Sequence, residues 1–485
     1  MSRHGVFIQE EATALTAPIN GQSAIQVVVG TAPVNMASDP ESLVNAPILA
    51  NSATEAKMLL GYSEDFENYT LCQTMYATGN IYQVSPVVYI NVLDPGKHKK
   101  TLSEAQYPIS QMQAIIPKEG ILLKGLTVKV TDGDTTLEKD TDYTAAFNAD
   151  GYLIITMLED GNGAEATQIT VSGEMLDPEA VTKTDIVGAY NPDTGAESGA
   201  ELIRQVYPKL GVVPGLILAP GWSQEPEVGI TLSAKAAQIN GVFKAMALLD
   251  LDTAKAKKYT DIKQVKEESG FTSAFSYVLW PLDKVGDKIL AKSAVAGALI
   301  AYLDANNDDV PNLSPSNNLL GVTGQCLADG TEVNLDQDQA STVNEYGVTT
   351  AINMNGWKLW GNHTGAYPAS TDAKDIWFPV RRMFNWHGNM FIQAYFDKVD
   401  DPMNTVLVES IVDSENIRCA AYAPDKWAGA SIEYREEDNP TTDILAGKMT
   451  FRQKIAPYTP AQEINNILSY DTDLLASAIG GGTEG

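Results

Sequence analysis

Four histidines (His4, His98, His363, His387), three cysteines (Cys72, Cys326, Cys419) and a few carboxylate clusters are the residues of this 485-residue chain whose types permit chemistry. Asp304, Asn306, Asp308 and Asp309 stand at the spacing that opens a calcium loop, where alternate side-chain oxygens converge on one cation. The sixth position holds Asp309 in place of glycine, and the closing glutamate position holds Pro315, so the segment reads as a solvated acidic loop. Asp132 and Asp134 flank Gly133 in a turn, where aspartate serves the backbone more often than acid/base work. His363 and His387 have no serine or cysteine nucleophile in a strained turn to activate. His363 reads as a loop residue, and His387 as a helix-surface or interface residue. The spacing of Gly480, Gly482 and Gly485 matches a dinucleotide-binding turn, but no helix follows to receive a phosphate. The cysteines are odd in number, far apart and free of any CxxC pair, which suits buried, inert thiols in a reducing compartment. No catalytic residue, metal site or cofactor is expected. Arg381 and Arg382, among Trp377, Phe378, Phe384 and Trp386, point to carboxylate pairing or aromatic stacking, either at an interface or within the chain.

Charge narrows the partners. Lys and Arg total 33 against 62 Asp and Glu, a formal net charge of −29. Such a surface repels nucleic acid and anionic lipid, so neither is an expected partner. The longest apolar stretch, 293–303, is about 11 residues, well short of the about 20 that span a bilayer. The N-terminus lacks the apolar core of a signal peptide, which leads to the expectation of a protein made and folded in a cytosol.

The elements that would position these residues follow from pattern. Residues 1–22 form a polar arm whose only apolar cluster is Val6, Phe7 and Ile8. A strand at 24–29, a helix capped by Ser52 and Glu55 and closed by Gly61, a second helical run at 66–77 and a strand at 87–92 make a β-α-α-β unit. Short strands at 126–130, 152–157 and 168–171, with Asp150-Gly151 as a hairpin signal, mark an inserted all-β domain. Strands at 216–219, 245–251 and 274–280 then alternate with helical patterns at 231–240, 253–268 and 288–304, which argues for a parallel sheet. The last third mixes strands with one amphipathic helix at 380–396. A strand at 448–455 precedes a helix expected to open at Thr459, with Pro460 first and Gln462 completing its capping box. The expected architecture is therefore multidomain, α/β and α+β. An α/β body (23–94 and 191–335) carries the β-rich insertion (95–190) and is followed by a C-terminal α+β domain (336–470). An N-terminal arm and a flexible tail (471–485) complete it.

Several stretches, in order along the chain, resemble the contractile tail sheath protein family. They are His4-Gly5-Val6-Phe7-Ile8-Gln9-Glu10, Val29-Gly30-Thr31-Ala32, Ala219-Pro220-Gly221-Trp222, Ala294-Val295-Ala296-Gly297, Trp360-Gly361 with Thr364, and Val380-Arg381-Arg382-Met383-Phe384-Asn385. The last are Gly447-Lys448-Met449-Thr450-Phe451, Ala456-Pro457 and Pro460-Ala461-Gln462-Glu463-Ile464. Some family members carry PP or PS before the AVAG helix, where this chain has Ala291-Lys292-Ser293. The resemblance implies a non-enzymatic subunit that stacks with its own copies in six-membered rings around a tail tube protein, between baseplate and tail terminator proteins. It also implies contraction, assembly in a bacterial host cytoplasm, and a final place in a virion tail or a bacteriocin-like particle. Linkage between subunits would run through strands added by both chain ends, with Val6, Phe7, Ile8, Lys448, Thr450, Phe451 and Arg452 as linkage residues. Arg381, Arg382 and Glu463 would be interface residues. An arm with apolar residues but no core of its own suits such strand addition.

Overall fold

The computed structural model describes residues 19–20, 22–131 and 135–480. Its centre is an eight-stranded sheet made from β1 (Gln26–Gly30), β2 (Pro47–Ala50), β3 (Val87–Asn91), β4 (Leu216–Leu218), β5 (Met246–Asp250), β6 (Ser276–Leu279), β7 (Val348–Asn353) and β8 (Trp357–Trp360). The spatial order is β8-β7-β6-β5-β4-β1-β3-β2. Strands β3, β1, β4, β5, β6 and β7 run parallel, and β2 and β8 close the two edges antiparallel. Strands β1, β3, β4 and β5 are buried along their whole length, which is why they read as continuous apolar runs rather than alternating ones.

Helices cover both faces. Ser52 caps α1 (Ala53–Leu60) by accepting from the Glu55 amide at 3.1 Å, and Glu55 accepts in return from the Asn51 amide. Gly61 ends it at a φ of +76°, where a Cβ would fall 2.3 Å from the Pro33 carbonyl oxygen. Helix α2 (Leu71–Tyr76) follows, shorter than the 66–77 run suggests. Helix α3 (Pro226–Ala237) and α4 (Ile262–Ser269) fall within the alternating half. Helix α5 (Lys292–Ala305) is buried almost all round, and its start is held by Asp250 at the end of β5. That carboxylate accepts from the Ser293 amide at 2.9 Å and from the hydroxyls of Ser293 and Ser223.

The insertion builds two small sheets over a second apolar core that includes Leu102, Ile116, Val128, Ile155 and Val171. The Asp150-Gly151 turn joins Tyr143–Phe147 to Leu153–Met157, with Phe147 opposite Leu153. Mixed α/β and all-β parts are thus present as expected.

Four details differ from the sequence reading. Strand β2 was not expected: it has four residues, opens on Pro47 and sits at an edge, the one place a strand tolerates proline. Strands β7 and β8, which the division at 335/336 assigns to the last domain, hydrogen-bond into the central sheet. Behind α6 (Phe378–Tyr395) stands an unexpected second helix, α7 (Thr405–Ala421), and after it the strand β9 (Trp427–Tyr434). The buried stripe of α7 is Leu407, Ile411, Glu415 and Cys419, and a carboxylate inside that stripe hides its amphipathic pattern. Finally, no helix opens at Thr459. After β10 (Phe451–Pro457) the chain runs without regular structure to Asp471 and only then forms α8 (Thr472–Gly480). A short helix needs a surface to cover, and Ile464, Ile467 and Leu468 find none among the described residues.

Candidate functional site

The hairpin β9–β10 is a two-stranded sheet of its own. It rests on α6 and α7 through a small core of Val310, Met383, Cys419 and Trp427, with Trp386, Tyr422 and Ile455 packed against it. The Trp427 indole donates to the Cys419 carbonyl at 3.1 Å, which ties the first residue of β9 to the end of α7.

The two outer edges of this ribbon differ. On β9, Ile432 turns both backbone groups outward, and Asn416 of α7 satisfies them: its side-chain oxygen accepts from the Ile432 amide and its amide donates to the Ile432 carbonyl, both at 3.0 Å. Asn416 stands there as a one-residue strand partner. Ile432 faces Gln453 across the hairpin, so that pair is of the kind that exchanges no backbone bonds. Alternation then turns the backbone groups of Phe451, Gln453 and Ile455 to the free side of β10. No strand lies beside them among the described residues.

Within the expected linkage set, Phe451 and Arg452 lie on β10 itself. Arg452 pairs with Asp438 at the surface. Lys448 and Thr450 precede the strand, and their amides are already spent inside the chain, on the Asp443 carbonyl at 2.9 Å and the Asn439 side chain at 2.7 Å. Val6, Phe7 and Ile8 lie outside the described residues. Beyond β10, Pro460 to Glu463 pass a cleft shared with Ser341, Asn344 and Trp360, and Glu463 is exposed. Ile464, Ile467 and Leu468 follow with at least 85% of their surface exposed.

The two arginines do not face outward. Arg382 is 4% exposed and grips both carboxylate oxygens of Asp304, itself 1% exposed. Asp304 also accepts from the Ser23 hydroxyl at 2.7 Å, so the first acid of the supposed calcium loop is a buried counter-ion rather than a solvated one. Arg381, 7% exposed, donates to Asp375 at 3.0 Å and Asn385 at 3.1 Å and lies over the rings of Phe275 and Phe384. An interface role would need these guanidiniums at the surface; their donors are engaged within the chain. Of the remaining acids in that loop, Asp308 lies 3.3 Å from Lys426, and Asp309 accepts from the Gln22 amide.

Both histidines are internal as well. His363 stacks between Tyr367 and Trp377, and burial, with Lys266 nearby, lowers its pKa to about 4. His387 points inward toward Glu415 and Cys419, not along the helix surface. All three cysteines are buried and free; burial pushes the Cys72 thiol up to about 12. Asn416, Asp304 and Glu415 carry no signal in the sequence, because their partners lie 16 to 78 residues away or around a helix turn.

The anti-feeding prophage helical sheath in its contracted state matches 98% of this chain and 100% of its own, at a TM-score of 0.56 and 15% identity, which establishes the fold. In sequence, the tail sheath protein of Burkholderia phage BcepMu is 26% identical over 97% of this chain and 96% of its own length. The tail sheath protein of Escherichia phage P2 is 24% identical over 64% and 74%. No family model matches the chain. In sequence the chain is thus similar to tail sheath proteins of phages, and in fold to the sheath of a contractile injection system.

Proposed function

We propose that this chain polymerises with its own copies into stacked six-membered rings around a tail tube protein, and that contraction of this sheath drives the tube through a target envelope. Baseplate and tail terminator proteins would bound the polymer, which would assemble in the host cytoplasm and act without catalysis. A bacteriocin-like particle lacking a capsid uses the same device, and both settings fit this subunit.

The observation that carries the reading is the free edge of β10. A buried sheet completes its hydrogen bonding internally, whereas an exposed edge is a template for a strand from another chain. Phe451, Gln453 and Ile455 offer that template, and the N-terminal arm with Val6, Phe7 and Ile8 would supply the strand. Each backbone bond added contributes about 0.5–1.5 kcal/mol, so a few bonds give a link that survives while the bodies move. The exposed apolar residues after Pro460, with Glu463 beside them, would dock on a neighbour. A net charge of −29 per copy opposes packing, so added salt should favour assembly by screening it.

Negative-stain microscopy of three chains tests this. The full chain should form tubes, while deletion of residues 1–20 and deletion of 458–485 should each leave folded monomers. Normal tubes from the first deletion would remove the arm from its linking role.

A further inference from the structure

Beneath β10 lies a buried polar cluster drawn from three elements. His387 of α6 and Glu415 and Cys419 of α7 place one nitrogen, one oxygen and one sulfur within 4.8 Å of one another. All three side chains are buried, at 5%, 0% and 0% exposure. His387 Nε2 stands 3.3 Å from Glu415 Oε1, and Cys419 Sγ stands 3.7 Å from the same oxygen. His387 Nε2 is buried and makes no hydrogen bond of good geometry, although Glu415 Oε1 stands within reach. A buried nitrogen left unpaired is costly unless something else occupies its lone pair.

We propose that His387, Glu415 and Cys419 form a structural zinc site that clips α6 to α7 under the assembly hairpin. Zinc bonds of about 2.0–2.3 Å in a tetrahedron set ligand-to-ligand edges of about 3.3–3.8 Å, which the two edges from Glu415 Oε1 match, the third lying within 4.8 Å. The ligand types fit too, since thiolate, imidazole and carboxylate together select zinc over the hard cations. The second oxygen of Glu415 is already engaged: Tyr395 donates to it at 3.0 Å and Arg418 pairs with it at 2.5 Å. That leaves Oε1 turned toward His387 and Cys419, with the outer support a metal-binding carboxylate needs. Gln453 of β10 closes the fourth side. Its amide lies 3.0 Å from Glu415 Oε1 and 3.4 Å from Cys419 Sγ, and a half-turn of the amide would present its oxygen instead.

The protonation states follow. Burial lowers the pKa of His387, which keeps the imidazole neutral and able to coordinate. Burial and then Glu415 raise the Cys419 thiol to about 11, so without metal it stays protonated. On binding, the Cys419 S–H bond breaks, its proton passes to water and the S–Zn bond forms. Zinc, thiolate, carboxylate and imidazole then sum to zero charge.

Chelator-treated full-length chain should be titrated with Co²⁺ and then Zn²⁺. Co²⁺ should saturate at one equivalent with a thiolate charge-transfer band and strong tetrahedral visible bands, which Zn²⁺ then bleaches. Cys419→Ala and His387→Gln should each abolish the band, Cys72→Ala and Cys326→Ala should retain it, and Tyr395→Phe should weaken binding about tenfold. The absence of a saturable band in the wild-type chain, or its survival in Cys419→Ala, overturns the site. The wild-type titration decides even if a variant fails to fold, and it is independent of whether the chain polymerises.

Discussion

The central sheet and the β9–β10 hairpin solve the same problem, backbone groups that need partners, in opposite ways. In the sheet, six parallel strands are bracketed by the antiparallel strands β2 and β8, and its interior runs are apolar on both faces. In the hairpin the side chain of Asn416 satisfies Ile432 on one edge, and among the described residues no strand lies along the other. On β10 alternate residues are exposed while their neighbours stay half-buried. The difference separates a part whose backbone is satisfied within the chain from a part that leaves outward-turned groups without a strand among the described residues. The buried Arg382–Asp304 pair joins the two, since it fastens α6, the helix beneath the hairpin, to α5 of the body.

The largest expected effect breaks that fastening. Asp304→Ala leaves Arg382 charged and unpaired in the interior and should cost about 3–5 kcal/mol in urea unfolding. Adding Arg382→Met should recover most of the loss, because a buried charge pair is worth little more than an apolar pair of similar volume.

A second comparison sharpens the edge itself. Proline is tolerated where a strand's amide points away from its partner and not where it points toward it. Ile455→Pro, with an outward amide, should leave a folded monomer by circular dichroism that no longer forms tubes. Lys454→Pro, one residue earlier and paired with Ser431, should disrupt the hairpin itself. Equal polymerisation of the Ile455→Pro chain would show that β10 receives no added strand.

The smallest effect separates the body from the hairpin by pH. His363 sits at about 4 in the folded chain, below the about 6.5 of an unfolded histidine. The unfolded state therefore binds more protons between those values, and the contribution is fully present above pH 6.5 and lost as pH falls toward 4. Urea midpoints at pH 7 and pH 4.5 should differ less in His363→Phe than in the wild type.

Much of the body was legible without coordinates. Its strands are short apolar runs between turn residues, α1 carries both halves of a capping box, and Asp150-Gly151 announces its hairpin, because each signal lies within a few residues of what it controls. The sheath motifs were legible for the same reason: they are local. The site was less so. Phe451 and Arg452 lie on a strand as expected, yet which residues of that strand turn their backbone outward depends on its register with β9. The helix expected at Thr459 has a valid capping box and still does not form, since capping lowers the cost of a helix end but supplies no surface to bury its apolar face.

Sequence alone determined the α/β body, the β-rich insertion, the acidic balance and the resemblance to tail sheath proteins, all of which rest on composition and short-range pattern. Tertiary structure alone decided that Arg381 and Arg382 turn inward, that Asp304 answers Arg382 from 78 residues away, and that His387 meets Glu415 and Cys419 in a buried cluster. Charge pairing and edge exposure are set by distance in space, and a chain reveals that distance only once it has folded.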